Sequence, residues 1–150
     1  MTKKDVESCF IDTNILVYAS DANSPWCRKA NQALKNAISG GYPLFISPQV
    51  LREYLSVATR SVTHEKTIPW DKIIKNHLWF QRAFKVLPED IATAQKLGEL
   101  VQQYHVSGKQ VHDANIVATM LVHGIQTILT RNVDDFKRYK GLVKILLLEE

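Results

Sequence analysis

The chain is 150 residues long and 45% hydrophobic, enough apolar side chain for one domain with a substantial core that folds unaided. Its 19 basic and 15 acidic residues leave a net charge of +4, spread along the chain; alone this is a weak pointer to nucleic acid, and it gains weight only if the acids are sequestered in a pocket. The longest apolar run, 116–125, is too short for a signal peptide or membrane span and contains His123, so a soluble cytoplasmic protein with no membrane partner is expected.

In chain order, Cys9, Phe10 and Ile11 read as a short buried strand that stops on Asp12, and Thr13 or Asn14 caps a helix whose apolar positions begin at Ile15. Asp12 thus stands at the carboxyl end of a strand, where open α/β sheets bind their ligands. Ser24-Pro25 heads a second helix with Trp26, Ala30, Leu34, Ala37 and Ile38 on one face, closed by Gly40-Gly41. A second strand spans 43–47, and Ser47-Pro48 opens a helix with Val50, Leu51, Tyr54, Leu55, Val57 and Ala58 facing inward. A 3.6-residue period puts Glu53 on the edge of that face, beside Val50 and Val57 and half-buried.

Residues 61–69 are polar and irregular and read as a loop, followed by a helix over 71–80 and a third strand over 83–87. Pro88-Glu89-Asp90 starts a helix with acids in its first turn and with Ile91, Ala94, Leu97, Gly98 and Val101 facing inward; Ser107-Gly108 ends it. The helix over 110–123 is apolar round most of its circumference and is expected to be central, with Gly124 at C′. Asp113, in its first turn, shares a face with Ile116, Val117 and Met120. A fourth strand over 127–130 runs into the polar loop Arg131-Asn132-Val133-Asp134-Asp135, then a helical turn near Phe136 and a last strand over 142–147. Strands alternating with helices predict an α/β fold, a mostly parallel sheet of about five strands covered on both faces.

Asp12, Glu53 and Asp113 each interrupt an apolar pattern, and Asn132, Asp134 and Asp135 follow the fourth strand. Singly each has a bland reading: Asp12 as a helix cap, Glu53 as a solvated edge residue, Asp113 as a complement to the helix dipole. Crossover geometry, however, allows them to meet at one edge of the sheet. Crowded carboxylates repel and raise one another's pKa, so such a cluster persists when a cation neutralises it. Oxygen ligands suit Mg2+ or Mn2+. An ion of that kind activates water and neutralises charge on a phosphodiester, which points to a nuclease.

Phe10-Ile11-Asp12-Thr13-Asn14-Ile15-Leu16-Val17-Tyr18-Ala19, Glu53, His112-Asp113-Ala114 and Leu129-Thr130-Arg131-Asn132-Val133-Asp134-Asp135-Phe136 together resemble the four ordered motifs of a PIN domain of the VapC toxin type. The resemblance implies a Rossmann-like three-layer α/β/α fold, Mg2+-dependent endoribonuclease activity on RNA, a homodimer and a cognate antitoxin. Carried over, Asp12, Glu53 and Asp113 are the catalytic and metal-binding acids, and Thr130, with Asn14, Arg131 and Asn132, positions water or substrate. Many members have an acid where this chain has Asn132; the neutral amide leaves one less negative charge and weakens any second metal. Asp135 replaces it if the loop turns it inward, although its favoured role is to cap the turn at Phe136.

Five histidines, His64, His77, His105, His112 and His123, show no i, i+4 pair and read as structural or solvated, a supporting role for His112 beside Asp113 being the lesser alternative. Trp26, Trp70 and Trp79 read as packing residues, and Cys9 and Cys27 as separate thiols. Arg28, Lys29, Arg52, Arg131, Lys137 and Arg138 are candidates for phosphate contacts, Arg131 with the best claim. The alternative to an enzyme is a non-catalytic RNA- or partner-binding domain, motivated by Asn132. A third reading makes Asp12 a phosphorylated nucleophile.

Overall fold

Five strands pair in parallel throughout the sheet: β1 (Cys9–Ile11), β2 (Leu44–Ile46), β3 (Lys85–Val86), β4 (Thr127–Thr130) and β5 (Lys144–Leu147), in the order β3-β2-β1-β4-β5. This computed structural model describes residues 8–63 and 68–148, so the charged opening of the chain and His64 lie outside the described residues. The helices among the described residues are α1 (Thr13–Ser20), α2 (Cys27–Ser39), α3 (Pro48–Thr63), α4 (Trp70–Ala83), α5 (Ile91–Tyr104), α6 (Gln110–Val122) and the single turn α7 (Val133–Phe136), which runs into a 3-10 turn at Lys137–Tyr139. The sheet is wholly rather than mostly parallel because every strand returns through a helical crossover.

From β1 the chain steps outward to β2 and β3, then crosses back to β4 and β5 on the other side. Right-handed crossovers running in opposite directions must cover opposite faces. Accordingly α1 packs on α2 and α3, and α3 on α4, in one layer, while α5 packs on α6 and α6 on α7 in the other. The central strands β1 and β4 are buried along their whole length, as strands covered on both faces should be. The reversal of direction falls between β1 and β4, so the crevice of this three-layer fold opens where Asp12 and Thr130 end their strands.

Several boundaries depart from the sequence reading. The helix α3 continues through Thr63, well into the segment read as loop. At α5, Asp90 is the N-cap rather than a first-turn residue and closes a capping box with Thr93. The buried face runs through Thr93 and Leu100, with Leu97 and Val101 packed against the core as expected, while Ile91 is 74% exposed and Ala94 and Gly98 are exposed as well. Ile38 also faces solvent, and Trp70 and Trp79 are half exposed rather than packed away. No helix among the described residues is long and apolar enough to cross a membrane.

Candidate active site

Beyond Ile11 the backbone turns into α1 at Asp12, which is 7% exposed and is itself the helix N-cap. Its Oδ1 accepts the Thr13 N–H at 2.8 Å, and its Oδ2 accepts the Thr130 hydroxyl at 2.7 Å and the Asn14 side-chain amide at 3.1 Å. The cap expected at Thr13 or Asn14 therefore sits one residue earlier, on Asp12 itself. Thr130 Oγ1 accepts in turn from the Asn132 N–H at 2.9 Å and from Asn14 Nδ2 at 3.3 Å, while the Arg131 N–H donates to Asn14 Oδ1 at 3.3 Å. Loop 130–132 is thus stitched onto the first turn of α1.

Asp12, Glu53, Asp113 and Asp135 line one hollow of about 440 Å3, together with Asn14 and Asn132. Glu53, half-buried on α3 as the helical period required, accepts the Thr13 hydroxyl at Oε1, 3.2 Å away. Asp113, in the first turn of α6, is half-buried as well. Burial pushes the Asp12 carboxyl up to about 6; its bonds from Thr130 and Thr13 pull the other way, and the charges of Glu53 and Asp135 add to the rise. Asp113 is pushed up to about 7, again by burial first, then by Asp135, Asp12 and Glu53, with Arg138 opposing. Mutual repulsion is present as expected, but desolvation is the larger cause at both residues.

Beside the Arg60 guanidinium, the polar groups around the hollow offer oxygens, from four carboxylates, two side-chain amides and the hydroxyls of Thr13, Tyr18 and Ser56, which is the chemistry of a hard divalent cation. Among the described residues no three acidic, histidine or cysteine groups come close enough together to hold a metal ion by themselves. An ion here would keep several of its waters, as Mg2+ does. The residues present therefore fit a hydrated Mg2+ or Mn2+.

A family model described as PIN domain matches residues 9–142. The chain belongs to the PIN domain family. It is similar to Ribonuclease VapC1 of Rickettsia felis, 36% identical over 102 residues, which span 65% of this chain and 72% of that protein. Among solved structures, it resembles the VapBC2 complex of Rickettsia felis bound to a DNA fragment from its promoter, with a TM-score of 0.70 and 19% identity over 94% of this chain and 98% of that one. A toxin-antitoxin complex from Klebsiella pneumoniae aligns with a TM-score of 0.67 and 23% identity over 95% and 99% of the two chains. At these identities the two structures show a shared fold.

Within this PIN domain the remaining expectations divide. Asp135 does turn to the hollow, from α7, whereas Asp134 points to solvent and pairs with Lys137. Arg131 is placed away from the hollow: its guanidinium lies 3.7 Å over the Trp26 ring and donates to the Leu148 carbonyl at 2.7 Å. Only its backbone N–H joins the stitching described above. His112 is exposed and contributes its backbone carbonyl rather than its ring. Arg28 and Arg52 are exposed on their helices, and Arg138 donates to Gln110. Cys9 and Cys27 are free thiols, with Cys9 pushed up to about 12 by burial and so inert. Arg60 and Tyr18 line the hollow and were not singled out from the sequence. The signal was available for Arg60, seven residues and two helical turns after Glu53.

Proposed function

We propose that this PIN domain is a metal-dependent endoribonuclease that hydrolyses RNA phosphodiester bonds with Mg2+ or Mn2+, and that it is the toxin of a type II toxin-antitoxin pair, paired with a cognate antitoxin and working as a homodimer in the cytoplasm. The observation that carries the reading is the convergence of Asp12, Glu53, Asp113 and Asp135 on one hollow at the sheet's switch point, two of them with carboxyls held protonatable near neutrality. Such a site is poorly stable empty and gains from a cation. The similarity to Ribonuclease VapC1 supports the choice of RNA, and the toxin-antitoxin complexes of the same fold support a partner protein.

In this reading Asp12, Glu53 and Asp113 would hold the ion, with Asp135 and Asn132 lining the same hollow. Once bound, the cation supplies Lewis acidity towards the phosphate and lowers the pKa of a water. The chain's own part is orientation. Thr130 and Asn14 pin one Asp12 oxygen, the Thr13 N–H pins the other, and the Thr13 hydroxyl holds Glu53. Asp12 Oδ1 accepts only the Thr13 N–H and so keeps a lone pair for an ion.

The test is incubation of the purified protein with single-stranded and structured RNA, with and without Mg2+. Cleavage that disappears in excess chelator and in Asp12→Asn is expected. Undiminished cleavage in either condition rejects the enzyme proposed; RNA binding indifferent to Mg2+, with no cleavage, replaces it with the non-catalytic reading.

A further inference from the structure

Glu53 and Asp113 approach the hollow from α3 and α6, helices of opposite layers, and a closed polar cluster spans the edge of the sheet between them. Gln49, 1% exposed in the first turn of α3, donates from Nε2 to the His112 carbonyl at 2.8 Å and accepts at Oε1 from Asn115 Nδ2 at 2.7 Å. Glu89, between β3 and α5, accepts the Gln49 backbone N–H at Oε2, 2.9 Å away, and Asn115 Nδ2 at Oε1, 2.6 Å away. Both ends of the Gln49 amide, both Glu89 oxygens and the Asn115 amino group are used. Flipping either amide would set acceptor against acceptor, so the assignment is the self-consistent one. Glu89 also serves as a remote cap: an N–H in the first turn of α3 has no intrahelical partner, and a carboxylate at that end complements the helix dipole.

The register of these residues gives the cluster its meaning. Gln49 lies one turn before Glu53 on the same helix, and His112 and Asn115 flank Asp113. Gln49, Glu89 and Asn115 are not among the residues that line the hollow.

We propose that Gln49, Glu89 and Asn115 are positioning residues, a clamp that fixes the separation of Glu53 and Asp113 and with it the affinity of the hollow for a divalent cation. This rests on the metal reading given above, and the test separates the two. Mg2+ binding to the full chain is measured by titration calorimetry without RNA, in the wild type, Gln49→Leu, Asn115→Ser and the double variant, with thermal unfolding in parallel. Gln49→Leu keeps the buried volume while deleting both amide contacts. The clamp predicts that each single variant unfolds cooperatively and binds Mg2+ about tenfold more weakly, the loss typical when support of a metal ligand is removed. The double variant should lose little more than either single one, because parts of one unit are not additive. Folded variants that bind Mg2+ within about twofold of a binding wild type overturn the clamp and leave the metal site standing. A wild type that takes up no Mg2+ overturns the metal reading and the clamp with it. Should Gln49→Leu fail to fold, Asn115→Ser, which only shortens one polar side chain on α6, decides the question in the same way.

Discussion

Thr130 shows how much of this site depends on one hydroxyl. It donates to Asp12 and accepts from Asn132 and Asn14 while fully buried. In Thr130→Val those partners are left without it, which costs about 1–3 kcal/mol of stability. The hydroxyl also favours the ionised form of Asp12. Its loss should push that carboxyl further up, lower RNA cleavage by about 10–100-fold, and move the acid limb of the pH–rate profile to higher pH. Urea unfolding and a pH–rate profile read the two effects separately. Arg131 makes the opposite case. Its guanidinium is spent on Trp26 and the Leu148 carbonyl, so Arg131→Ala should destabilise by about 1–2 kcal/mol and leave KM for RNA little changed. A large rise in KM with unchanged stability would restore it as a phosphate contact. Adjacency in the sequence placed Arg131 beside the pocket; the side-chain direction, set by the aromatic ring of Trp26 a hundred residues away, could not be read there.

Among the elements, those with the strongest local pattern were the most legible. The strands β1, Cys-Phe-Ile, and β4, Thr-Ile-Leu-Thr, are short runs of β-forming residues buried along their whole length, and their bounds agree with the sequence reading to the residue. Glu53 was legible for the same reason, since a single helical period fixes its angle relative to Val50 and Val57. At α5 the pattern was right for Leu97 and Val101, which pack against the core, and wrong for Ile91, Ala94 and Gly98, which are exposed; the capping box with Thr93 shows where the helix begins. That box predicts that Asp90→Ala lowers stability by about 1 kcal/mol without changing cleavage, measured by thermal melting beside the RNA assay. A fall in activity at equal stability would mean that α5 bears on the site directly. The Gln49, Glu89 and Asn115 cluster was illegible because its members meet only through the fold, from α3, the segment before α5, and α6. Asp135 was an open alternative until α7 gave the loop a helical turn and aimed it at the hollow.

On the scale of the whole molecule, the parallel topology brings to one crevice acids that stand far apart along the chain, and stability should register the cost. Asp12 and Asp113 have folded pKa values of about 6 and about 7, above the ordinary 3.8. Raised carboxyls favour the protonated folded state, so in the absence of metal their contribution is full below about pH 4 and is lost as pH rises through 6 to 7. Metal-free protein should therefore melt at lower temperature at pH 8 than at pH 5, and Mg2+ should recover the difference at pH 8 while doing little at pH 5. Equal stabilisation at both pH values would show that the ion binds elsewhere. The most direct measurement is a crystal structure of the full chain soaked in Mn2+, with anomalous scattering used to locate the ion. The account predicts an anomalous peak inside the hollow bounded by Asp12, Glu53, Asp113 and Asp135, lost in Asp12→Asn; a hollow without that peak at saturating Mn2+, or a peak only at other surfaces, would contradict it.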